Sequence, residues 1–144
     1  MSTPKPPERS GNLPTFFTDR DLGRLAFPDG LRAAGLAVVT IFDHYGVEAS
    51  QTVADDEWLP EAARRGWPVL CCDSKHRKRR RPAERAALLD SGVQEFVLNG
   101  NVPAAENVTR VMHNLEAIVT ACRSPGPFVY RVHPARIERL NLGR

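Results

Sequence analysis

Five aspartates hold the chemistry that this chain can offer. Asp19 and Asp21 follow the short run Thr15-Phe16-Phe17-Thr18, Asp55 and Asp56 open a helical segment, and Asp73 ends the apolar run Val69-Leu70-Cys71-Cys72. A buried strand that stops at a carboxylate is a good place to hold a hard metal ion. Mg²⁺ and Mn²⁺ take oxygen ligands, usually two or more carboxylates completed by water and phosphate. Three or four like charges gather only if a cation neutralises them. Such a cation activates a water molecule and stabilises the charge that builds on a phosphodiester oxygen. Asp19, Asp73 and one of Asp55 and Asp56 would meet the requirement, with Asp21 beside Asp19.

Just beyond Asp73 stand six cationic side chains, Lys75, Arg77, Lys78, Arg79, Arg80 and Arg81, with His76 among them. Lysines and arginines contact a phosphate backbone in a salt-dependent, sequence-independent way. The whole chain carries a net charge of only +3, so without this run it is acidic. Basicity that is local favours one polyanion-facing edge over diffuse adhesion. Carboxylates and basic run together suggest a metal-dependent enzyme acting on nucleic acid. Each also has a plainer role. Asp19 and Asp21 are good helix caps, Asp55, Asp56 and Glu57 are ordinary first-turn acids, Asp73 suits a turn, and a charge run is often a solvated face.

Other chemistries find less support. Cys71, Cys72 and Cys122 have no framework spacing, and the paired Cys/His clusters of a zinc site are missing from the sequence; buried thiols in a reducing cytosol are the expectation. His44, His113 and His133 are scattered, and only His76 is near the aspartates. No Gly-rich phosphate loop is present. No apolar stretch approaches the roughly 18 residues of a membrane span, and the chain opens without an apolar leader, so a cytoplasmic protein without membrane contact is expected.

The elements that must position these groups are legible in outline. With 144 residues, 42% hydrophobic and 26% charged, the chain suits one packed domain, placed at residues 14–144 behind a Pro- and charge-rich, disordered lead-in at residues 1–13. The patterning predicts strands at 15–18, 36–42, 67–72 and 93–98. It predicts helices over 22–34 (interrupted at Pro28), from Asp55 or Asp56 to Arg65, over 82–89, and as one long amphipathic element from Pro103 to Cys122. Residues 43–54 read as an irregular loop. Two strands joined by a tight turn close the chain, from Pro127 to Val132 and from Ile137 to Leu142. Strands alternating with helices imply right-handed crossovers and a mainly parallel sheet with helices on both sides. Ligands bind such sheets beyond the carboxyl ends of the strands, where Asp19, Asp21 and Asp73 fall.

The order of motifs resembles a known family. Phe-Phe-Thr-Asp-Arg-Asp-Leu-Gly, then Leu-Arg-Ala-Ala-Gly-Leu-Ala-Val-Val-Thr, then Asp-Asp-Glu-Trp-Leu-Pro-Glu-Ala, then Gly-Trp-Pro-Val-Leu-Cys-Cys-Asp is similar to the PIN-like domains of VapC-type toxins. The resemblance runs from about Thr15 to Leu142. It implies a three-layer α/β/α sandwich and a Mg²⁺- or Mn²⁺-dependent endoribonuclease acting on RNA, often paired with an antitoxin protein and often a homodimer. The family's first strand-end aspartate falls on Asp19, with Asp21 beside it. The acid before the tryptophan falls on Asp55, with Asp56 next to it, and the third-strand aspartate falls on Asp73. Cys71 stands where such sequences commonly have Thr, the segment after Asp73 is unusually arginine-rich, and no fourth carboxylate is assigned. A nucleic-acid-binding module without turnover is therefore the alternative. A receiver-type phosphoacceptor ranks below both, because Asn99 and Asn101 stand where it would want a lysine.

Overall fold

A computed structural model of the chain describes residues 13–72 and 82–142. Six strands form one sheet in the order β2-β1-β3-β4-β5-β6. They are β1 (Thr15–Thr18), β2 (Ala37–Thr40), β3 (Val69–Cys72), β4 (Gln94–Leu98), β5 (Phe128–Val132) and β6 (Ile137–Arg139). The first five are parallel, and β6 returns antiparallel along β5. The β5–β6 turn closes where the His133 amide donates to the Arg136 carbonyl at 2.8 Å.

Six helices lie among the described residues: α1 (Ala26–Ala33), α2 (Ile41–Tyr45), α3 (Asp55–Arg64), α4 (Pro82–Ser91), α5 (Ala104–His113) and α6 (Leu115–Cys122). Successive strand side chains point to opposite faces, and β1 shows the consequence. Phe16 packs with Phe27, Leu31, Val111 and Ile118 from α1, α5 and α6. Phe17 packs with Ile41, Trp58, Leu59 and Leu88 from α2, α3 and α4. The result is the expected three-layer α/β/α sandwich, with a core on each side of the sheet. No helix among the described residues is long and apolar enough to cross a membrane.

Five local expectations need correction. The second strand stops at Thr40 and does not continue to Phe42. Ile41 and Phe42 suit a strand by type, but the Thr40 hydroxyl accepts from the Asp43 amide and the Asp43 carboxylate accepts from the Thr40 amide, both at 2.9 Å. That reciprocal capping box starts α2. The loop expected at 43–54 therefore begins as helix and holds a 3-10 turn at Ala49–Gln51.

The long helix expected from Pro103 to Cys122 divides at Asn114. Its Nδ2 donates to the carbonyls of Arg110 and His133, each at 2.8 Å. One amide thus ends α5 and ties the break to the β5–β6 turn. The helix expected from Leu22 begins only at Ala26, so Pro28 lies in its first turn, where a missing amide hydrogen costs little. The last strand ends at Arg139 and not at Leu142, although the Leu140 amide still donates to the Val129 carbonyl at 2.8 Å.

Candidate active site

The chain runs outward from β1 in both directions across the sheet, so β1 and β3 flank the topological switch point. At such a point neighbouring crossovers pass to opposite faces and leave a crevice beyond the carboxyl ends of the strands. Asp19 sits at the mouth of this crevice. Its amide donates to the Leu70 carbonyl of β3 at 3.1 Å, one residue past the last β1 position. Its carboxylate is 1% exposed and accepts from the Arg20 amide at 2.6 Å, capping the 3-10 turn Arg20–Leu22. The cap reading and the site reading of Asp19 therefore describe one geometry.

Burial pushes the Asp19 carboxyl up to about 7, and the neighbouring Asp21 charge adds to the shift. The Arg20 amide opposes it, and Asp55 raises it further. Asp21 follows within the 3-10 turn and is half-buried. The turn is held against the end of β3, where the Cys72 thiol donates to the Asp21 carbonyl at 3.7 Å.

Asp55 is the first residue of α3, and it is half-buried while Asp56 and Glu57 are exposed. A carboxylate is favoured there by the positive end of the helix dipole. The indole Nε1–H of Trp58 donates to Asp55 Oδ1 at 3.0 Å. Trp58 is itself fully buried, its ring 5.5 Å from that of Phe17 on β1. Of the adjacent pair, Asp55 is the one that acts on Asp19.

Asp73 follows Cys72 directly in the chain, and Lys75, His76, Arg77, Lys78, Arg79, Arg80 and Arg81 follow it; all lie outside the described residues. Among the described residues, no three His, Cys, Asp or Glu side chains form a ready-made metal cluster. The donor set still fits a hard divalent cation. It is all oxygen, it contains a carboxyl whose acidity is suppressed by burial and then by two neighbouring acids, and a cation would relieve that strain. Asp19, Asp21 and Asp55 are in electrostatic contact without chelating geometry of their own.

The remaining candidates belong to the scaffold. His44 Nε2 pairs with Glu61 Oε2 at 2.8 Å, and Arg65 Nε donates to the same oxygen at 2.6 Å, with Arg64 on Oε1. Arg64 and Arg65 thus serve their own helix end. His133 pairs with Glu138 at 2.8 Å, and His113 is exposed. Cys71 and Cys72 are buried and Cys122 half-buried, all as free thiols.

Two residues near these aspartates and strands were not named as site residues from the sequence. Trp58 orients Asp55, and its three-residue spacing on a helix was the available clue. Glu95 is fully buried on β4 and accepts from the Cys71 thiol at 3.2 Å; a charged residue inside an apolar strand marked it as unusual.

Comparison with known proteins agrees with this architecture. The family described as "PIN like domain" matches residues 14–100. A protein of Mycobacterium tuberculosis named "Putative ribonuclease VapC45" is 37% identical over 137 residues, covering 93% of this chain and 98% of the relative. No solved structure matches. The chain therefore belongs to the PIN-like domain family, in its VapC-type branch.

Proposed function

We propose that this protein is a Mg²⁺- or Mn²⁺-dependent endoribonuclease, the toxin of a toxin–antitoxin pair, working in the cytoplasm on RNA. One observation carries the reading. A nearly inaccessible carboxyl, Asp19, stands at the switch point with its pKa raised to about 7 by burial, Asp21 and Asp55. Perturbed acids of this kind gather at functional sites. The ribonuclease name of the relative adds support.

In this reading Asp19, Asp55 and Asp73 hold the cation, with Asp21 beside them, and Asp56 remains on the solvent side. When bound, the cation supplies charge neutralisation and Lewis acidity at the phosphodiester. The chain supplies the rest. Trp58 keeps one Asp55 oxygen fixed. The Arg20 amide fixes one Asp19 oxygen in the same way. Lys75, Arg77, Lys78, Arg79, Arg80 and Arg81 draw in the RNA backbone. An antitoxin protein and a second copy of the chain are the expected protein partners. The test is cleavage of RNA with Mn²⁺ or Mg²⁺ and its loss on chelation. Binding of RNA without cleavage under any divalent cation would replace this reading with that of a binding module.

A further inference from the structure

We propose that Arg20 is a positioning residue, whose guanidinium ties the loop that leads into Asp55 to the strand end that carries Asp19. Its Nε donates to the Ser50 carbonyl at 2.8 Å and its Nη2 to the Val53 carbonyl at 2.6 Å. These contacts span 30 and 33 residues of sequence. Val53 is two residues before Asp55, with only the cap residue Ala54 between them. The same residue's amide holds Asp19 Oδ1. One residue therefore grips both acids, one through its backbone and the other through the loop.

The anchored segment is built to receive the grip. Ser50 is fully buried and Val53 nearly so. The Ser50 hydroxyl donates to the Val47 carbonyl at 2.8 Å, and its amide donates to the Gly46 carbonyl at 2.9 Å. The loop is thus folded on itself before Arg20 clamps it. A planar guanidinium reaches two carbonyls at once, which a lysine ammonium on a flexible stem does not reproduce. Charge-assisted donors of this length are among the stronger hydrogen bonds.

The clamp has a purpose beyond anchoring a loop. Asp19 and Asp55 repel each other, so the head of α3 would relax away from β1 without a restraint. Trp58 restrains the Asp55 side chain, and Arg20 restrains the backbone beneath it. Outer partners of this kind set the affinity of a metal site without touching the metal. The proposal rests on the ribonuclease reading for its cation and not for its geometry.

A thermal cycle on the metal-free full-length protein at about pH 8 tests it, using Arg20→Gln, Asp55→Asn and the double variant. Asn keeps an acceptor for Trp58 and removes the charge. The change in melting temperature on Asp55→Asn should be about 3 °C more favourable in the Arg20 background than in the Arg20→Gln background, because the helix-dipole and Trp58 losses are common to both and the relief of repulsion is not. Simple loop anchoring predicts equal changes, and equal changes overturn the proposal. Mn²⁺ titration gives the second arm: Arg20→Gln and Arg20→Lys should each weaken binding about tenfold, while saturating Mn²⁺ restores most of the RNA cleavage. Affinity within twofold of the wild type in a folded variant also overturns it. A wild-type protein that binds no Mn²⁺ removes the ribonuclease reading, and the thermal cycle alone then decides the role of Arg20.

Discussion

The Asp19 amide reaches the Leu70 carbonyl at 3.1 Å, which carries the β1–β3 pairing one step past the register Phe17↔Val69 and Thr18↔Leu70. The bond fixes the backbone of Asp19 to the strand that ends at Cys72, the residue before Asp73. In a sheet of order β2-β1-β3-β4-β5-β6, these two strands flank the crevice where ligands bind. A carboxylate buried there is costly unless something positive neutralises it.

The metal-free protein should lose stability as pH rises from about 4 to about 7. Asp19 titrates from an ordinary value of 3.8 in the unfolded chain to about 7 in the fold. Below about pH 4 both states hold the proton and the stabilisation is full. Between about pH 4 and 7 the unfolded chain releases its proton first, so stability falls, and above 7 the loss is complete. Asp19→Asn should remove this slope and raise the stability at about pH 8 by on the order of a few kcal/mol at most. Thermal melts from about pH 5 to 8 check it; parallel curves for wild type and variant would contradict it.

Trp58→Phe should separate orientation from packing. The ring is kept in the core beside Phe17, while the donor to Asp55 Oδ1 is lost. Hydrogen bonds to charged groups contribute about 1.5–3 kcal/mol, so metal-dependent cleavage should drop roughly tenfold or more. Circular dichroism should show a folded protein. Undiminished cleavage at limiting Mn²⁺ would show that Asp55 does not need its tryptophan.

Neutralising the basic run should change salt dependence more than chemistry. With an inactive Asp19→Asn protein as the background, replacing Arg77, Lys78, Arg79, Arg80 and Arg81 by Gln should weaken RNA binding. It should also lower the slope of log affinity against log salt by up to about 0.7 per lost phosphate contact on single strands. An unchanged slope would assign the run to the solvated surface.

The sequence made the sheet legible and left the site half-written. The apolar and β-branched runs at 15–18, 67–72 and 93–98 read as strands, and their spacing implied the crossovers that bring Asp19 to the carboxyl edge. Ile41 and Phe42 misled because residue type favoured a strand, whereas the local Thr40–Asp43 capping box decided for helix. Asn114 misled because the helix break depends on the His133 carbonyl, 19 residues away. The resemblance put the family's acid on Asp55 with Asp56 next to it, whereas the contacts around the pair were invisible in the sequence: Asp55 is half-buried and bonded to Trp58, Asp56 is exposed, and Arg20 reaches across 33 residues to Val53 just before them.

Away from the site, Glu61 should mark the acid limit of the fold. The Arg65, Arg64 and His44 hydrogen bonds hold its carboxyl down at about 2, from an ordinary 4.5. Its stabilisation is present above about pH 4.5 and is lost as pH falls through about 2. Glu61→Gln should flatten stability against pH in that window and leave RNA cleavage at neutral pH unchanged. Acid titrations followed by circular dichroism check the first half, and superimposable curves would contradict it.

The most direct measurement is Mn²⁺-dependent cleavage of RNA by the wild-type protein, Asp19→Asn and Asp73→Asn, side by side. If the two aspartates meet at one cation across the β1–β3 crevice, the wild type cleaves, chelation stops it, and each variant loses activity by about a hundredfold or more while remaining folded. Cleavage that survives both substitutions would contradict the account.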